Sequence, residues 1–182
     1  MHQLLLLRHA KSSWGDAALP DRERPLNKRG HRGAAAIRGA MRDLGLSPDL
    51  VLVSPARRTQ ETLAALEPWD DTPLVDPIDT LYLASATHLL AILRDVSETV
   101  RSVLVIGHNP GMHELAVLLA ARSGPPAPGE ALGRLLQEFP TAALAEFAIA
   151  VPWRQLGAGG GQLVHFLTPR ELRADEPPET AA

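Results

Sequence analysis

The sequence predicts an α/β layered domain with a parallel central sheet. Short apolar runs alternate with helix-forming stretches, and each run ends in a polar loop. Leu4–Leu7, Asp49–Val53 and Ser102–Ile106 are brief, continuous and apolar, as strands buried on both faces must be.

Between the first two strands, residues 28–44 are good helix formers closed by Gly45. Residues 56–67 form a second helix stopped by Pro68, and residues 86–96 and 111–122 form two more. The last third changes character. Ser123–Gly129 is a Pro- and Gly-rich loop, followed by a short helical piece around Glu130–Glu138. Ala143–Val151 and Gln162–Leu167 read as strands joined by a turn at Gly157–Gly161. That glycine run is no dinucleotide fingerprint, because Gln162 stands where the last glycine is needed. The domain is expected to span residues 1–172. From Arg173 onward the chain is rich in Pro and Glu with nothing to bury, so 173–182 read as a disordered tail.

Composition narrows the function. The 182 residues are 45% hydrophobic and carry a net charge of −3, which gives no global pull toward nucleic acid or an anionic membrane. Any anion site must be a local cluster. Lys11 and Lys28 are the only lysines among many arginines. That skew suits bidentate phosphate binding, but it reads more simply as the habit of an Arg- and Ala-rich genome. The absence of cysteine excludes thiolate nucleophiles, disulfides and Cys-type metal sites. No apolar stretch approaches a membrane span, and a cytoplasmic protein is expected.

In open parallel sheets, functional residues gather beyond the carboxyl ends of the strands. Three such loops carry Arg8-His9-Ala10-Lys11-Ser12, Ser54-Pro55-Ala56-Arg57-Arg58-Thr59, and Gly107-His108-Asn109-Pro110-Gly111. Histidines and arginines from all three would meet at one sheet edge. Among the other histidines, His31, His88, His113 and His165 are given ordinary structural places, and their spacing makes no metal site. Asp21, Glu23 and Arg24 order the loop over the site or pair at the surface, with Asp21 or Arg24 also open to substrate contact. Trp14 reads as a packed loop aromatic or as a wall of the pocket.

These motifs in this order resemble the histidine phosphatase superfamily, and most closely its SixA-type phosphohistidine phosphatase branch. Arg24-Pro25-Leu26-Asn27-Lys28-Arg29-Gly30, Leu81-Tyr82-Leu83-Ala84-Ser85, Phe139-Pro140-Thr141 and Trp153 extend the likeness to about residue 170. The resemblance implies a three-layer α/β/α domain with a mostly parallel sheet, phosphoglycerate-mutase-like. It implies His9 as a nucleophile that becomes a phosphohistidine, Arg8 and Arg58 as phosphoryl-oxygen clamps, and a protonated His108 stabilising the transition state. Arg58 is chosen over Arg57 because the family's arginine lies four residues after the serine and four before the threonine. Asn109 and Ser12 line the same loops as further substrate contacts. No metal and no cofactor are implied.

The sequence departs from its relatives at the leaving-group acid. The sugar-phosphate branch has a glutamate in the region of Thr80–Ala84, and the phytase branch an aspartate where this chain has Asn109. Asp79 is the nearest substitute and is discounted. An alkoxide needs a proton to leave, a service worth roughly 10²–10⁴-fold, whereas a phosphoramidate or acyl phosphate departs more readily. The expected substrate is phosphohistidine on a protein, reached through an open, shallow site. The alternatives are a small metabolite phosphate ester or acyl phosphate and, in another class, a non-catalytic phosphate-binding module.

Overall fold

A computed structural model describes residues 1–15, 17–121 and 131–174. The chain runs β1 (His2–Arg8), α1 (Lys28–Asp43), β2 (Leu50–Val53), α2 (Arg57–Leu66), β3 (Leu74–Pro77) and α3 (Ala86–Arg94). It continues β4 (Ser102–Gly107), α4 (Gly111–Ala120), α5 (Ala131–Gln137), β5 (Leu144–Ile149), β6 (Gly161–Leu167) and α6 (Pro169–Ala174). The strands form one six-stranded sheet in the order β3-β2-β4-β1-β5-β6. β3, β2, β4 and β1 are mutually parallel, while β5 runs antiparallel to β1 and pairs with β6 as a hairpin. This is the α/β/α architecture with a mostly parallel sheet that the sequence predicts.

Alternation along β1 divides the core. Leu4 and Leu6 face α3 and α4, where they join Leu89, Leu93, Leu115 and Leu119. Leu5 and Leu7 face α1 and α2, beside Ile37, Met41, Leu63 and Leu66. All four leucines are fully buried, because a strand at the centre of a three-layer domain has no solvent face. α1 starts where the Asn27 side chain accepts from Gly30 N–H at 2.8 Å, and it is followed by Gly45 at φ 65°. Ser85 caps α3 in the same way.

Two elements lie outside the predicted set. β3 is an edge strand exposed at all four positions and ending in Pro77, so it lacks the apolar run by which a buried strand is read. α6 follows directly on β6 and continues to Ala174, past the expected boundary at 172. The predicted loop 123–129 and residues 175–182 of the predicted tail lie outside the described residues. Among the described residues, no helix is long and apolar enough to cross a membrane.

At the carboxyl edge of the sheet two backbone segments approach closely. The first residue of α4, Gly111, lies so near the turn before α3 that an added Cβ would meet Ala84 O at 1.9 Å. At Gly39, on the exposed side of α1, a Cβ would meet nothing within 4 Å. Gly111→Ala is therefore expected to destabilise the fold by roughly 1–3 kcal/mol. Gly39→Ala is expected to stabilise it by about 0.5–1 kcal/mol. Urea denaturation midpoints of the two variants measure both.

Candidate active site

Strand register brings the three motif loops together. Arg8 pairs with Gly107 across β1 and β4, and Val53 pairs with Ile106 across β2 and β4. The next residues along each strand, His9, His108 and Ser54, leave the sheet at one level. His9 N–H still donates to Gly107 O and Ser54 N–H to Ile106 O, which extends the ladder one step beyond the strands.

Arg58, in the first turn of α2, is only 4% exposed and sits between the two histidines. Its Nε lies 3.3 Å from His9 Nε2 and its Nη2 3.3 Å from His108 Nδ1. A guanidinium only donates, so both histidine nitrogens facing it are acceptors. His9 then carries its proton on Nδ1, which donates to Ala10 O at 2.8 Å. His108 carries its proton on Nε2, which lies 2.7 Å from Ser54 Oγ. The tautomers of both rings follow from a single cation.

Arg58 is held from the other side by Asp21. Nη1 donates to the Asp21 carbonyl at 2.6 Å and Nη2 to Asp21 Oδ2 at 3.0 Å. Tyr82 OH donates to the same Oδ2 at 2.6 Å. The Tyr82 ring stands edge-on to His108, with centroids 5.4 Å apart. Arg8 Nη1 and Asn109 Nδ2 both donate to Phe139 O at 2.9 Å. Arg8 Nε and Asn109 Oδ1 stay buried without a partner, so both side chains retain hydrogen-bonding capacity at the site.

Not every expected residue joins this cluster. Ser12 is buried in a bridge with Leu26, and no hydrogen bond links its hydroxyl to the cluster among the described residues. Arg57 points outward to Glu61 at 2.7 Å. Trp14 is not packed: it is 69% exposed, with the Arg24 guanidinium 3.8 Å over its ring. Asp79 is paired with Arg22 at 2.6 Å at the surface. Both histidines are buried, His9 at 8% and His108 at 3% exposure. Sequence reasoning passes over Tyr82, Ser54 and the Phe139 carbonyl. Tyr82 carries a signal, being the chain's only tyrosine and lying within one of the matching motifs.

Burial, then His9 and Arg58, push the pKa of His108 down to about 3, whereas the resemblance implies a His108 protonated beside the phosphate. Burial, aided by Arg58 and Arg8, pushes His9 down to about 4 against the pull of the Ala10 carbonyl. Both rings are neutral at pH 7. For Asp21, the Tyr82 hydrogen bond and then Arg58 hold the carboxyl below its usual range.

These shifts make stability pH-dependent. The unfolded chain binds a proton on His108 near pH 6.5 and the folded protein only near pH 3, so stability falls with pH between those values. On acidification through this window, wild type is expected to lose up to about 1.4 kcal/mol per pH unit more than His108→Asn. Urea titrations of both proteins across that range measure the difference in slope.

Comparison with known proteins agrees with this fold. The sequence profile of the histidine phosphatase superfamily (branch 1) matches residues 4–77. An uncharacterized protein of Mycobacterium tuberculosis is 35% identical over 164 residues, which is 90% of this chain and 100% of its own. The structure of a SixA protein from Nakamurella multipartitia superposes with a TM-score of 0.79 at 29% identity, covering 92% of this chain and 96% of that one. The protein histidine phosphatase SixA, solved with tungstate, superposes at 0.74 and 25% identity, covering 93% and 99%. The chain belongs to the histidine phosphatase superfamily, as a phosphatase of the SixA-type branch.

Proposed function

We propose that the protein is a phosphohistidine phosphatase that works through a covalent phosphohistidine on His9 Nε2. The observation that carries the reading is the proton inventory of the site. Asp21, the carboxylate in contact with Arg58, is held ionised by Tyr82 and Arg58. The Tyr82 hydroxyl is pushed above its usual range by that carboxylate, and neutral His108 spends its one N–H on Ser54. Among the described residues, no carboxylic acid in contact with the phosphoryl-binding groups is ready to protonate an alkoxide at pH 7. Phosphoryl groups on nitrogen leave without such an acid.

Phosphoryl transfer then proceeds in two balanced steps. The His9 Nε2 lone pair forms the new N–P bond, and the old P–N bond breaks with its electron pair going to the departing ring. His9 keeps its Nδ1 proton on Ala10 O, so phospho-His9 is the cationic form. Water attacks phosphorus, the His9 N–P bond breaks, His9 leaves as neutral imidazole, and the water's protons depart with inorganic phosphate. Arg8 and Arg58 hold the non-bridging oxygens through charge-assisted hydrogen bonds. Asn109 adds the second hydrogen of its Nδ2, the first being given to Phe139 O. Ser12 contributes only through the loop that carries His9. A phosphoryl dianion between the histidines raises their pKa values, so His108 takes a proton on Nδ1 as substrate binds and becomes a donor. The reaction needs no metal and no cofactor. The partner is a phosphorylated protein.

His9→Ala is expected to lower turnover by roughly three orders of magnitude or more while the fold is kept; residual activity within about tenfold of wild type excludes His9 as nucleophile. Vanadate, a mimic of five-coordinate phosphorus, is expected to inhibit wild type and Arg57→Ala alike and to lose its effect on Arg58→Ala. Phosphate release from a histidine-phosphorylated peptide and from an aryl phosphate, both with EDTA, tests the substrate class. Preference for the peptide supports the reading, and preference for the ester turns it toward a small metabolite.

A further inference from the structure

The mouth of the site holds a charged group that neither phosphoryl-transfer step uses. Asp21 lies on a short 3-10 turn, Asp21–Glu23, in the long segment between β1 and α1. Its Oδ2 is taken by Arg58 and Tyr82, whereas Arg24 Nη1 lies 3.8 Å from Oδ1, beyond hydrogen-bond reach. The side chain is 47% exposed. It therefore presents an anionic oxygen with open lone pairs at the entrance, one guanidinium away from the nucleophilic nitrogen. An ionised carboxylate accepts and cannot donate. It fits a partner that brings its own N–H.

Resting on the phosphohistidine reading, we propose that Asp21 Oδ1 accepts the N–H of the substrate imidazole nitrogen that does not carry the phosphoryl group. A phosphorylated imidazole leaves as a neutral ring when that second nitrogen is protonated. The P–N electron pair goes to the departing nitrogen, His9 Nε2 supplies the pair for the new bond, and the second N–H stays in place. No proton crosses the site. A carboxylate opposite that N–H favours the protonated ring and raises its pKa, so the reactive form persists to higher pH.

The same oxygen sorts substrates. An alcohol or phenol leaving group offers no such N–H. An acyl phosphate departs as a carboxylate, which would meet Asp21 as a like charge. Asp21 is then a specificity determinant that works by holding the substrate's proton rather than by giving one.

The test compares wild type, Asp21→Asn and Asp21→Glu on a histidine-phosphorylated peptide and on 4-nitrophenyl phosphate. Asp21→Asn weakens the anchor on Arg58, so both activities fall. The kcat/KM ratio of phosphopeptide to ester is expected to fall a further tenfold or so, and the alkaline limb of kcat for the phosphopeptide to move down by about one pH unit. The ester profile lacks that shift, and Asp21→Glu, which keeps the charge, recovers the ratio. Equal losses on both substrates with an unmoved limb mean that Asp21 serves only Arg58, and that outcome overturns the proposal. A wild-type enzyme silent on the phosphopeptide overturns both this inference and the phosphohistidine reading; equal losses in an active enzyme overturn this one alone.

Discussion

The site is organised by a buried guanidinium that cannot give up its charge. Arg58 is nearly inaccessible, and its donors must all find acceptors or be left at high cost. The two histidines meet that demand by turning lone pairs toward it, which forces their protons outward to Ala10 O and Ser54 Oγ. Asp21 meets the remainder with a carbonyl and a carboxylate. An imidazole in the tautomer a nucleophile needs, with its free nitrogen inward, is thus a consequence of charge satisfaction. Removal of the cation would free both rings to change tautomer.

The fold delivers these groups because β4 lies between β1 and β2. Chain order alone would place the fourth strand elsewhere. Inserting it centrally puts His108 between the loops of β1 and β2, with Ser54 beneath it and Arg58 arriving from α2. Antiparallel β5 then lies against the outer side of β1, and the segment before it supplies the Phe139 carbonyl that Arg8 and Asn109 share. Ala142, at φ 59°, turns that segment so that its N–H reaches the carbonyls of Arg8 and His9. Motifs far apart in sequence therefore act as one rigid frame.

Much of this is legible in the residues. Buried parallel strands leave continuous apolar runs, and β1, β2 and β4 are readable from theirs. β3 is not, because an exposed edge strand buries no face and carries no such run. α6 does announce itself: Thr168 and Glu171 form a reciprocal cap around Pro169 at the first helical position. That signal is masked in a segment dominated by the Pro- and Glu-rich end. At the site, residue types and their loops are readable, but the partners of Asp21 are not. Its contact with Tyr82 joins residues 61 positions apart, and no local spacing encodes such a pair. Protonation is also hidden. A histidine beside a phosphate is expected to be charged, whereas one packed against a buried arginine is neutral until an anion arrives.

On the proposed route, transfer from the substrate's imidazole to His9 replaces one N–P bond by another, so that step is nearly balanced in bond energy. Direction must come from the second step, and hydrolysis supplies it by converting N–P to O–P. The departing ring must therefore leave before it can recapture the phosphoryl group, and water must reach the phosphorus in its place. The half-exposed side chain of Asp21, on a short turn at the surface, suits a ring that is held while it is cationic and released to solvent once loss of the phosphoryl group leaves it neutral. Ala10 O, buried beneath the nucleophile, holds the His9 proton through both steps. The difference between an exposed anionic acceptor and a buried neutral one lets one imidazole leave while the other stays.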